Sequence, residues 1–416
     1  MSVPVCLFLL VAIASGAAAT GQGQARRPAP PDLSAAVAGI QKGLTQLRGH
    51  GFTAEVVLEL LSEAEVKTFL EKKLAEEYPD ERLAAEQKAY QHFGLLKQGE
   101  DLKTLFLEML TGQAAGFYDP DEKRLFLVEG KPLPGIALVH ELAHALQDQR
   151  FDVGPLLERA RDNDDRLRAV HSMIEGEAMA LSASYLLTRP EEAGLLEALG
   201  GRADAKEQLA LSVEQLQRFP ESLQGDLMFP YLEGMMWASA VQRSGGGALM
   251  DQIFKDPPDS SEQILHPDKI NQPRDTPSTI GREVLPDLST DSYRTIKVNV
   301  WGEFGIRQVL GGWKGADQAE AADGWDGDLY AVYEKDGAGM GAIWVSAWDS
   351  ADDAAEFQER ASAWLRGRDR SGSRHRILLG GPQRRVVGIV DGFADPLAGR
   401  LEEDLRAALG SGVQLR

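Results

Sequence analysis

Cysteine is all but missing from this chain: Cys6 is the only one in 416 residues, and it lies in the first apolar run. No disulfide can form within the chain, and a chain that has lost its N-terminus would carry no thiol, a composition suited to an oxidising compartment. Positive charge is scarce too, with 44 Lys and Arg against 64 Asp and Glu and a net charge of -20. Such a surface repels phosphate backbones and anionic headgroups, so nucleic acid and lipid surfaces are not expected partners. Several signatures are absent as well. There is no Gly-x-Ser-x-Gly elbow. The run DGAGMGA at 336–342 is followed by no helix and no Lys-Ser/Thr, so it reads as a turn and not as a phosphate loop. The pairs Trp325-Asp326 and Trp348-Asp349 sit in no regular period of strands, which excludes a propeller.

What is present begins with an address. The stretch VPVCLFLLVAIASGAAA, residues 3–19, is too short to span a bilayer and ends in small residues, as a secretory signal peptide does. Cleavage after Ala19 is expected, giving an exported protein of the bacterial periplasm or exterior with no membrane span. A Gly/Pro-rich linker, 20–32, follows. The expected fold class is α+β: a mainly helical region with a short β-hairpin over 33–290, then a smaller α+β domain over 291–416.

Within the first region, Glu55–Leu60 is a strand candidate, and Ser62 with Glu65 has the spacing of a capping box. Two β-rich runs flank Asp119-Pro120-Asp121, which predicts a hairpin. Helices are expected from about 155 to 255, interrupted at RFPESLQGD and SGGG, and DPPDSSEQILHPDKINQPRDTP reads as a surface segment. In the second region DLYAVYE, GAIWVSAW and RRVVGIVDGF read as strands, and DSADDAAEFQERASAWL and PLAGRLEEDLRAAL as helices.

The chemistry concentrates in LVHELAHALQDQ, residues 138–149. On a helix, side chains four apart share a face, so His140 and His144 can aim two imidazoles at one point. Nitrogen at that spacing suits Zn²⁺. Glu141 falls to the side, where it can act as general base toward a zinc-activated water. The neighbours Leu138, Val139, Leu142, Ala143, Ala145 and Leu146 are uncharged, as a buried ligand-bearing helix requires. A catalytic zinc needs a third protein ligand. The third histidine of the metzincin pattern is excluded, because Gln147 and Arg150 stand where that class has glycine and histidine. A glutamate from a later helix is the remaining common solution, and RLRAVHSMIEGEAMALSASYLL carries Glu175 and Glu177. The apolar stripe Leu167, Val170, Ile174, Ala178, Leu181, Tyr185 centres nearer Glu177, whereas His171 and Glu175 share a polar flank. The choice between the two glutamates stays open on periodicity alone. Asp148, one turn beyond His144, is either an orienting partner for a ligand imidazole or a solvent-facing charge.

With HELAH and EGEA together, the sequence resembles the gluzincins, zinc metallopeptidases whose third ligand is glutamate. The longer strings HELAHALQDQ, EGEA and SSEQILHPDK are similar to those of a group of exported bacterial proteins with such a centre, over residues 100 to 270 or so. The resemblance implies a zincin-like catalytic region, His140, His144 and Glu175 as zinc ligands, Glu141 as base, and a peptide or protein substrate. On the helix pattern, Glu177 is then a supporting carboxylate or the alternative ligand, and His171, four before Glu175, an outer partner or a surface residue. Gluzincins commonly place a His or Tyr at the developing oxyanion, so His266 in ILHPD and Tyr231 in FPYLEG are candidates. The strand around Gly116-Phe117-Tyr118 could take an extended substrate as an added strand or simply cover the metal helix. Two rivals remain: a cell-envelope binding or scaffold protein with a structural or degenerate zinc site, and a zinc hydrolase acting on a non-peptide amide.

Overall fold

The computed structural model describes residues 27–28, 31–113, 116–120, 122–131, 135–191, 214–270, 273–337, 339–368 and 374–411. Cys6, the cleavage site at Ala19 and most of the expected linker lie outside the described residues. The end of that linker is structured: β1 (Arg27–Pro28) precedes α1 (Pro31–Arg48). A proline can open a helix because its missing N–H would be unpaired there in any case.

The strand expected from Glu55 is β2 (Val57–Leu61), and the capping box that follows it forms. Ser62 Oγ accepts from Glu65 N at 3.3 Å, and Glu65 Oε2 accepts from Ser62 N at 2.7 Å, which starts α2 (Glu63–Glu77). Next come α3 (Asp80–Phe93), closed by Gly94 at φ 82°, and α4 (Leu102–Gln113). The hairpin forms as expected from β3 (Gly116–Asp119) and β4 (Arg124–Val128), with Phe117 opposite Phe126. The sheet order is β1-β2-β4-β3; β2 and β4 run parallel, and β3 is an edge.

β4 is buried on both faces, so its sequence RLFLV is a continuous apolar run. Phe126 and Val128 join the core beneath α2, α3 and α4. Leu125 and Leu127 face the other way, onto α5 (Gly135–Phe151), and pack with Leu138, Val139, Leu142 and Leu146. The HELAH helix therefore rests on the sheet. After α6 (Val153–Ala160), α7 (Asp164–Thr188) is capped by Asn163 Oδ1, which accepts from Asp165 N and Arg166 N.

Helix α8 (Glu221–Lys255) packs along α7. It is broken by a kink at SGGG, as expected, where Gly246 has a non-helical backbone at φ 62°. Gly176 and Gly234 let α7 and α8 approach backbone to backbone: a Cβ on Gly176 would collide with the Gly234 carbonyl. Gly176→Ala would gain up to about 1 kcal/mol of helix propensity. Against an unyielding carbonyl, overpacking of about 1–3 kcal/mol outweighs it. The variant should unfold at lower denaturant concentration with unchanged slope; an unshifted midpoint removes this account.

After α9 (Ser261–Leu265), the C-terminal region adds β5 (Arg294–Asn299), α10 (Gly302–Val309), α11 (Ala316–Glu320), β6 (Trp325–Lys335), β7 (Gly339–Trp348), α12 (Ala351–Arg366), β8 (Arg374–Gly380), β9 (Val386–Phe393) and α13 (Leu397–Ser411). Its sheet is antiparallel in the order β5-β6-β7-β9-β8. Alternate residues of each strand face opposite cores. Leu329, Ala331, Ile343 and Val345 pack on α13. Tyr330, Val332, Trp344 and Ile389 pack on α12 and also on Tyr90, Phe93 and Phe106 of the first region. The expected boundary at 290/291 thus precedes β5, but the two regions share one core.

A buried polar cluster joins them beneath α7. Arg168 lies 3.4 Å from Asp226 and 3.5 Å from Asp165; Tyr90 and Gln308 donate to Asp226. Ser261 N donates to Asp165 Oδ2, so the segment expected at the surface is in fact buried at Ser260–Ile264. Its polar residues are there because buried partners claim them. Among the described residues no helix is long and apolar enough to cross a membrane.

Candidate metal centre

His140 and His144 project from one face of α5, and Glu175 meets them from α7. The Nε2 atoms of the two histidines are 3.0 Å apart. Glu175 Oε2 lies 3.0 Å from Nε2 of His140 and 3.4 Å from Nε2 of His144. Although both nitrogens are that close, Oε2 has no well-directed hydrogen bond, and all three side chains are buried. Three side-chain donor atoms this close to one another form a group that could hold a cation. Tetrahedral bonds of about 2.0–2.1 Å to zinc place ligand atoms about 3.3 Å apart, so the residues fit the ion.

Charge in the cluster is coupled. Burial would lower His144, but the charge and close contact of Glu175 raise it to about 9. Burial would raise Glu175, but His144 and the approach of His140 and His171 hold it well below the usual carboxylate range. His171 is buried, with Nε2 3.5 Å from Glu175 Oε1, so it is an outer partner and not a surface residue. Among the described residues no Lys or Arg pairs with Glu175.

The half-buried Glu141 accepts from Tyr118 N at 2.8 Å through Oε2. That bond fixes the carboxylate against β3 and leaves Oε1 for a proton. Burial raises its pKa, opposed by the nearby histidines. Tyr231, on α8, tilts its ring over His140 at 6.0 Å between centroids, and its hydroxyl bonds Glu175. Burial and the charges of Glu175 and Glu141 raise its phenol well above the ordinary value, so it stays protonated.

Glu177 is buried but turned elsewhere: its Oε1 is 2.5 Å from Arg48 Nε, and its Oε2 accepts from Gln147 Nε2 at 3.0 Å. Asp148 does not orient an imidazole. It accepts from Tyr118 Oη at 2.9 Å and Lys123 Nζ at 2.7 Å, and so ties the hairpin to α5. The imidazole partner is the adjacent Gln147, whose Oε1 is 2.9 Å from His144 Nδ1. Its position three residues after His144 was the available signal, and sequence reading used it only to exclude metzincins.

His266 pairs with carboxylates other than Glu175. Its Nε2 is 3.0 Å from Glu303 and 3.5 Å from Asp323, and Arg307 binds the same Glu303. A further acidic group, Glu262, Asp275 and Asp349, surrounds Lys269 Nζ at 2.6, 3.0 and 3.1 Å. Both of these clusters contain a Lys or Arg side chain, which among the described residues the group of His140, His144 and Glu175 does not.

A family model described as a domain of unknown function (DUF8575) matches residues 292–397, from just before β5 to the start of α13. No curated protein and no solved structure matches the chain.

Proposed function

We propose that the chain is an exported zinc metallopeptidase of gluzincin type, with a zincin-like catalytic region, that hydrolyses peptide bonds. The observation that carries this reading is the convergence of His140 Nε2, His144 Nε2 and Glu175 Oε2 beside a carboxylate, Glu141, that is held by a different partner. A purely structural site has no use for such a base. When bound, zinc supplies a Lewis acid and lowers the pKa of water to about 7.

Glu141 takes the proton of the attacking water at Oε1 and hands it to the leaving amine. A carboxylate raised above its ordinary pKa is closer to the operating pH and so better matched to that exchange. Tyr231, neutral at physiological pH, would release Glu175 and turn its hydroxyl proton to the developing oxyanion. β3 is an edge strand bonded to Glu141, so an extended peptide added to that edge would run beside the base.

The test is metal content with a coupled assay. Mature protein purified without added metal should hold about one zinc per chain. Hydrolysis of an unstructured protein such as casein should stop with a chelator and return with zinc. Zinc-loaded protein that cleaves no peptide bond in a broad peptide library would overturn the reading.

A further inference from the structure

The side chains behind His144 form a chain of contacts that nothing in the proposed hydrolysis consumes. Gln147 Nε2 faces two acceptors at once, the Ile174 carbonyl at 2.9 Å and Glu177 Oε2 at 3.0 Å. An amide oxygen in that position would meet only lone pairs, so the orientation of Gln147 is fixed: NH₂ toward α7, Oε1 toward His144. Oε1 can only accept, so His144 Nδ1, 2.9 Å away, must carry the proton. Nε2, facing His140 and Glu175, is then the nitrogen that can give its lone pair to a metal. Behind Glu177 stands Arg48, the last residue of α1, nearly sealed from solvent at 5 % exposure. Its Nε lies 2.5 Å from Glu177 Oε1, its Nη2 lies 2.6 Å from Asp251 Oδ1, and Nη1 donates to the Gly247 carbonyl beside the bend of α8.

We propose that Gln147, anchored by Glu177 and Arg48, is the positioning residue that holds His144 in the Nδ1–H form with Nε2 bare toward the metal. The proposal rests on the reading of His140, His144 and Glu175 as a zinc centre. Its direction is set by the anchors. Glu177 accepts from Gln147 and pairs its charge with Arg48, and an ionised carboxylate can donate to neither, so the hydrogen bond from Gln147 can run only one way. It also gives Glu177 a role distinct from that of Glu175, two residues earlier. The α1 helix, far from the metal in sequence, becomes a support of the centre.

Two full-length mature variants test it. Gln147→Met keeps the length of the side chain and removes both polar ends. The exchange Gln147→Glu with Glu177→Gln keeps the charge: a carboxylate at 147 accepts from His144 Nδ1, and an amide at 177 donates to it while its oxygen accepts from Arg48. Zinc affinity is read by competition with a chromophoric chelator. The His144 Nδ1–H is followed by ¹⁵N–¹H NMR of the zinc-loaded protein, and the denaturant midpoint of the metal-free protein reports folding. Gln147→Met should bind zinc roughly 10- to 100-fold more weakly, and its Nδ1–H should exchange faster with water. The exchange variant should recover most of the affinity and the slow proton. Equal zinc affinity and an equally protected Nδ1–H in Gln147→Met overturn the relay; so does a folded exchange variant that stays as weak as Gln147→Met, including the case where Gln147→Met itself does not fold. A wild-type chain that takes up no zinc removes the zinc centre itself, an outcome separate from these.

Discussion

Glu141→Gln should keep its zinc and lose turnover by roughly 10²–10⁴-fold, the usual cost of removing a general base. The side chain keeps its length, and its amide oxygen can still accept from Tyr118 N, the 2.8 Å bond that fixes it against β3. Folding, the β3 edge and substrate affinity should therefore survive. What is lost is the capacity to take a proton near neutral pH. Because Glu141 is not among the converging ligand atoms, metal content should not change. His140→Ala and His144→Ala should behave differently, losing metal and activity together. Zinc analysis, kcat and KM on the same preparations separate the cases. A Glu141→Gln protein that holds zinc and hydrolyses peptides at the wild-type rate removes the base from the mechanism. If wild type itself shows no hydrolysis and loss of zinc unfolds the region, the centre is structural.

The parts of this site that could be read in the sequence are those set by local geometry. His140 and His144 converge because four residues make about one helical turn, whatever the rest of the chain does. The Ser62 cap and the hairpin at Asp119 are local for the same reason. Glu175 was harder, because an apolar stripe marks a buried face only on a helix that has an exposed one. α7 is buried almost all round from Leu167 to Ala178, so the centre of its stripe carried no information about the metal. Both glutamates are buried, and what tells them apart is Arg48, at the end of a helix remote in sequence. The pairing of His266 was hidden for a related reason. Its partner Glu303 lies on α10, a helix that the pattern of residues 302–309 did not announce. The shared core was hidden as well: DLYAVYE gave a strand, but not that its Tyr330 face would pack against Phe93 of the first region.

Glu175→Ala should empty the site, and Glu177→Ala should not. Among the described residues, Glu175 Oε2 is one of the three side-chain donors that meet there, and two histidines on one helix face make a poor catalytic site without a third ligand. Removing it also takes away the charge that raises His144 to about 9, so the imidazole of the metal-free variant should titrate lower. Glu177→Ala acts through Gln147 and Arg48. Losing one partner of a buried ion pair costs about 3–5 kcal/mol when the other is stranded. Arg48 keeps Asp251 at 2.6 Å and the Gly247 carbonyl, which places this variant toward the lower end of that range. Its zinc affinity should fall only by the roughly 10- to 100-fold expected of an outer partner. The two variants therefore diverge in opposite directions. Glu175→Ala loses metal out of proportion to stability, and Glu177→Ala loses stability out of proportion to metal. Zinc titration beside urea unfolding of the metal-free proteins reads both axes. If Glu177→Ala empties the site while Glu175→Ala retains zinc, the ligand assignment is reversed, and the stripe on α7 marked the metal face after all.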